Sequence, residues 1–164
     1  MVDAQPLPPA PPFALRILVD ADACPVKDEI YRVAARHRVP VQVVSNSPFR
    51  VPASPLIDRV IVSDAFDAAD DWIAEQSSPG AVVITSDILL ADRAIKAGAQ
   101  VLAPHGKPFT AASIGSAIAT RAIMADLRAG VSDITGGPAP FSKSDRSQFL
   151  QALDQMLVRL ARGR

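Results

Sequence analysis

The chain is short of several residue types, and each scarcity excludes something. Aromatics make up 5% of its 164 residues, so Val, Ile, Leu and Ala must fill the core. Its one cysteine, Cys24, cannot form an internal disulfide. That suits a reducing compartment, and a cytoplasmic protein is expected. Its two histidines, His37 and His105, lie far apart and lack the spacing of a zinc site. Neither sign of charge is in excess, because Lys plus Arg and Asp plus Glu number 17 each. A broadly basic protein is thereby excluded, and any surface for nucleic acid must be local. No apolar run is long enough to cross a bilayer, so no membrane partner is expected.

What is present suffices for a real core. Apolar residues are 49% of the chain, and its length fits one domain. Met1 to Pro12 is rich in proline and has no positive n-region. It reads as a flexible tail and not as a signal peptide. The expected organisation is a tail over 1–13 and one α/β domain over 14–164.

Strands and helices alternate along that domain. Leu15–Val19, Val39–Val44, Arg59–Val62, Ala81–Thr85 and Gln100–Ala103 read as strands. Helices are expected from Pro25, with Asp22 or Ala23 as its cap, then over Phe66–Gln76 and Ile88–Ala97. Two more follow, over roughly Ala111–Arg128 and Asp145–Leu160, the last opened by a capping box of Asp145 and Gln148. This order predicts a three-layer fold: a mostly parallel five-stranded sheet flanked by helices, with two helices at the C-terminal end.

In such sheets ligands bind beyond the carboxyl ends of the strands, where the strand order switches. That edge is where the acids fall. Asp20 and Asp22 follow the first strand, and Asp64, Asp67, Asp70 and Asp71 follow the third. Asp87 follows the fourth, with Asp92 one turn into its helix. If the first and fourth strands are neighbours, Asp20 and Asp87 face each other. Crowded carboxylates raise one another's pKa unless a cation lies between them. A hard dication such as Mg²⁺ or Mn²⁺ relieves that cost and suits a phosphate substrate. Any one of these acids alone is better read as a helix cap or a solvated charge. Asp20 is the exception, because it ends a buried strand and a second acid follows it.

Other polar residues are weaker candidates. Asn46, Thr85 and Ser86 end strands at the same edge, and more often such residues satisfy turn backbone. Lys27 and Arg50 are candidates to neutralise a phosphate, against the plainer reading of solvated surface charges. Arg146, soon after the Thr135–Phe141 loop, is a substrate-binding candidate. Thr135, Gly136 and Gly137 open a loop of glycines and prolines up to Phe141, where backbone can approach a ligand closely. Cys24 has no evident base partner and reads as structural.

Several stretches, taken in order, resemble one family. Val19-Asp20-Ala21-Asp22-Ala23-Cys24-Pro25-Val26-Lys27 is similar to the signature of the YaiI/YqxD family of bacterial proteins. Phe66-Asp67-Ala68-Ala69-Asp70, Thr85-Ser86-Asp87-Ile88, Thr135-Gly136-Gly137-Pro138 and Asp145-Arg146 with Phe149 match it too. The resemblance covers roughly Leu15 to Leu160. It implies a fold similar to PIN-domain nucleases, which hold Mg²⁺ or Mn²⁺ on three or four carboxylates and cleave RNA or DNA. The positions that fit are Asp20, Asp70 (or Asp67) and Asp87, with Asp22 and Asp92 as further metal candidates.

Three functions compete. The first is a metal-dependent nuclease, with RNA favoured over DNA as substrate. The second is an aspartyl phosphatase of haloacid dehalogenase type, using Asp20-x-Asp22 as nucleophile and acid. Cys24 stands where that family expects Thr or Val, and the early helix leaves no room for its flap. The third is a non-catalytic module that binds RNA or another phosphate-bearing ligand in the same cleft.

Overall fold

The computed structural model describes residues 14–22, 24–130 and 141–162, with side chains through 127 in the second stretch. Strand β1 (Arg16–Asp20) carries Ile17, Leu18 and Val19, all fully buried. Ile17 and Val19 enter one layer and Leu18 the other. A strand covered on both faces needs apolar residues at successive positions, which explains the unbroken apolar run.

The further strands are β2 (Val41–Ser45), β3 (Ile57–Ile61), β4 (Ala81–Ile84), β5 (Gln100–Leu102) and β6 (Pro108–Phe109). The sheet order is β3-β2-β1-β4-β5-β6. The first five run parallel, and β6 pairs antiparallel to β5. The sixth strand corrects the expected five. It has two residues and starts on a proline, so it has no periodic signal, and its place at the sheet edge suits the missing proline donor.

Helices α1 (Lys27–His37) and α5 (Lys143–Arg162) share one face of the sheet around Phe149, Leu153 and Leu157. Asp154 of α5 receives hydrogen bonds from His37 at 2.6 Å and Arg36 at 3.3 Å, tying the two helices together. The opposite layer holds α2 (Ala68–Gln76) and α3 (Ile88–Lys96), packed on Leu18, Val44 and Val83. Helix α4 (Ala111–Gly130) leans on α3. Among the described residues no helix is long and apolar enough to cross a membrane.

Two helix starts differ from expectation. Val26, not Asp22, holds the position before α1, and no side chain caps it; Ala23 lies outside the described residues. The capping box of α5 joins Ser142 to Asp145. Asp145 N–H donates to the Ser142 hydroxyl at 3.1 Å, and Ser142 N–H donates to the Asp145 carboxylate at 3.0 Å. Asp145 thus closes the box from within the helix, with Ser142 as its cap.

Gly106 fixes the β5–β6 turn against α5. Its φ is +93°, and a Cβ there would lie 2.8 Å from the backbone carbonyl carbon of Gln148. Gly106→Ala is therefore expected to destabilise the protein by about 1–3 kcal/mol. Urea unfolding checks this, and an unchanged midpoint would contradict the close approach.

Candidate functional site

The strand order makes the site. β1 lies between β2 and β4, so the chain leaves β1 to one side and returns on the other. At that switch the carboxyl ends of β1 and β4 stand side by side, in the register Val19 to Ile84. Asp20 and Thr85 are the next residues. The Thr85 hydroxyl donates to Asp20 Oδ2 at 2.9 Å and accepts from the Asp87 N–H at 3.0 Å. One buried threonine thus aims Asp20 and shapes the turn that carries Asp87.

Asp87 caps α3. Its Oδ1 accepts from Leu89 N–H at 2.9 Å and Leu90 N–H at 3.3 Å. The capping role expected of any lone aspartate there is real, and both of its bonds fall on Oδ1. Asp67 is the opposite case. It stands before α2 in the left-handed region, φ 65°, and its side chain makes no capping bond. A non-glycine residue held in that region costs on the order of 1 kcal/mol, and such positions cluster at functional sites. Asp70 follows in the first turn of α2, near enough to Asp87 for the charge of that carboxylate to act on it.

Asp20, Asp67, Asp70 and Asp87 line one cleft of about 390 Å³, together with Asp22, Asn46, Asp64 and Phe66; Thr85 lies behind it, buried. Of the sequence candidates, Asp20, Asp22, Asp67, Asp70, Asp87 and Asn46 meet there. Asp64 joins them; its position after a strand was visible in the sequence, but nothing distinguished it from a turn residue. Phe66, 93% exposed at the rim, was hidden because an exposed aromatic has no sequence signal.

Other candidates stand elsewhere. The Asp92 carboxylate pairs with Lys96 at 2.9 Å along α3. The Lys27 ammonium sits over the Phe49 ring, 5.9 Å from its centroid. Arg50 lines a separate hollow with Val51 and Arg59. Arg146 binds the Pro25 carbonyl and lies 3.5 Å from Glu29, joining α5 to α1. Ser86 is exposed in the turn before α3, outside the cleft lining. Thr135, Gly136 and Gly137 lie outside the described residues. Burial pushes the Cys24 thiol up, against a nucleophilic thiolate and in keeping with a structural role.

An α/β protein with an acidic cleft at its switch point is the class this geometry defines. The chain belongs to the uncharacterized BCR, YaiI/YqxD family, whose model matches residues 18–159. A UPF0178 protein of Sphingopyxis alaskensis is 73% identical over 147 residues, covering 90% of this chain and 96% of the relative. A UPF0178 protein of Bradyrhizobium diazoefficiens is 61% identical over 149 residues, covering 91% and 89%. One of Rhodopseudomonas palustris is 58% identical over 153 residues, covering 93% of each. No solved structure matches the chain.

The cleft offers oxygen donors, a set suited in kind to a hard dication such as Mg²⁺ or Mn²⁺. Among the described residues no three His, Cys, Asp or Glu side chains are gathered closely enough to hold one ion. Carboxylate crowding is nonetheless felt. Burial pushes the Asp20 carboxyl up, the Thr85 hydrogen bond opposes this, and Asp22 and Asp87 add to it. Asp70 is pushed up to about 6, by burial first and then by Asp87, Asp20 and Asp67.

An acid raised in this way takes up a proton on folding. Its stabilising effect is complete below the ordinary 3.8 and is lost as the pH rises through about 6. In metal-free buffer, Asp70→Asn is expected to be more stable than the wild type at about pH 7.5. The advantage should fade by about pH 4, where the wild-type carboxyl is also neutral. Urea midpoints at the two pH values test this, and equal midpoints at the higher pH would contradict the crowding.

Proposed function

We propose that the chain is a divalent-metal-dependent nuclease of PIN-like type, acting on the phosphodiester of RNA in preference to DNA. The observation that supports this reading best is the convergence of Asp20, Asp70 and Asp87 on one cleft at the β1–β4 switch. Each reaches the cleft from a different element. A turn or cap role explains Asp87 in part and leaves Asp20 and Asp70 unexplained.

Asp20, Asp70 and Asp87 would have to draw closer together to hold Mg²⁺ or Mn²⁺, because no three of the described acids are gathered tightly enough for one ion without it; Asp22 and Asp67 stand beside them. Such an ion lowers the pKa of bound water and stabilises charge on the phosphate oxygens. The protein's own contribution is positioning. Thr85 fixes the Asp20 carboxylate through one hydrogen bond. The α3 backbone amides hold Asp87 through Oδ1. The repulsion that raises the Asp70 carboxyl would be offset by a bound dication, favouring its ionised form.

Single-stranded RNA incubated with Mn²⁺ tests the reading. Wild type should cleave it, and Asp20→Asn should lose at least about 100-fold of that activity. EDTA should abolish the reaction. Equal cleavage by wild type and Asp20→Asn would sink the proposal.

A further inference from the structure

The acidic cleft does not end at the acids. A second hollow of about 300 Å³ shares Phe66, Asp67, Asp70 and Asp87 with it and adds Leu89, Arg93 and Arg121. Arg121 belongs to α4 and also lines a third cavity, of about 720 Å³, between α4 and the β5–β6 turn. The first two spaces share four lining residues, and the second and third share Arg121.

The character of the wall changes along this path. The first cleft is lined by six aspartates. The third has no carboxylate among its lining residues; it has Lys107, Arg121 and His105 over an apolar wall that includes Phe109 and Met124. Serine and threonine hydroxyls of α4 face the same space. Flat apolar surface beside cations and hydroxyls is the chemistry that receives a nucleobase with its phosphate. Phe66, 93% exposed, stands where the first two hollows meet. An aromatic left in water beside a cleft offers a stacking face.

We infer that the α4–β6 cavity is a nucleotide subsite for the same single RNA strand whose phosphodiester is cut at the acids. The strand crosses from the aspartates past Phe66, and Arg121 takes a phosphate between the two sites. Lys107 neutralises a phosphate at the cavity, while a base lies against Phe109 and Met124. The chain's zero net charge is consistent with this, because the cations needed are gathered locally. This inference rests on the nuclease reading for its substrate, yet it concerns binding and is measured without turnover.

The experiment is fluorescence anisotropy with 5′-labelled octauridylate in EDTA, using the full chain. Lys107→Glu and Arg121→Glu should each weaken binding at least about 10-fold. Each should also lower the slope of log affinity against log salt by about 0.7, the value for one lost single-strand phosphate contact. Ser116→Trp, which fills the cavity without changing charge, should weaken binding to a similar degree. Circular dichroism verifies that each variant is folded, as expected for exposed positions. Wild-type binding by all three variants would overturn the subsite and leave the nuclease reading standing. Uridine monophosphate competing as well as the octamer would overturn the strand, making the cavity a site for a free nucleotide. Binding through Lys107 and Arg121 with no cleavage under any divalent metal would support the subsite and defeat the nuclease reading.

Discussion

Everything at the site depends on the parallel pairing of β1 with β4. Their ladder ends at Val19 and Ile84, and the next residues on each strand are Asp20 and Thr85. The 2.9 Å hydrogen bond between those side chains spans 65 positions of sequence. It joins two halves of the chain at the point where their strands diverge. A slip of one residue would turn Asp20 to the other face of the sheet and place Thr85 against the wrong neighbour. Both faces of Ile17–Val19 and Ala81–Ile84 are apolar, so the polar ends of the strand hold the register: Arg16 donates to the Ser78 hydroxyl at one end and Thr85 to Asp20 at the other.

Around this junction the protein tolerates what it avoids elsewhere. Asp20, Asp22, Asp64, Asp67, Asp70 and Asp87 share one cleft, and burial with mutual repulsion raises Asp20 and Asp70. Asp67 holds a left-handed backbone without a capping bond in return. The core beneath is conventional, with Phe149, Leu153 and Leu157 sealing α5 and α1 to the sheet. A stable scaffold holding a destabilised acidic rim is the division of labour expected of a preorganised site.

Much of the fold was legible in the residues. Continuous apolar runs marked the covered strands, and the alternation of strand and helix marked a parallel sheet. β6 was not legible, because two residues beginning with Pro108 have no period and exist only by pairing with Val101 and Leu102. The cap of α5 was displaced because Gln148 also satisfies the pattern after Asp145, and only geometry separates it from Ser142 with Asp145. At the site, Asp20 and Asp87 followed from topology alone once β1 and β4 were neighbours. Asp70 needed the family resemblance, since nothing local separates it from Asp71, which pairs with Arg93 at 2.8 Å on the surface. Lys27 and Arg146 stand away from the cleft lining, whereas Arg93 and Arg121, which carry no local motif, line the hollow that adjoins it through packing.

The central claim is that these acids form a metal-holding centre. Crystals soaked in Mn²⁺ and examined by anomalous scattering test it most directly. A strong peak is expected in the cleft between Asp20, Asp70 and Asp87, lost in Asp20→Asn crystals. Saturating Mn²⁺ with no peak in that cleft, or the same peak in the variant, would contradict it.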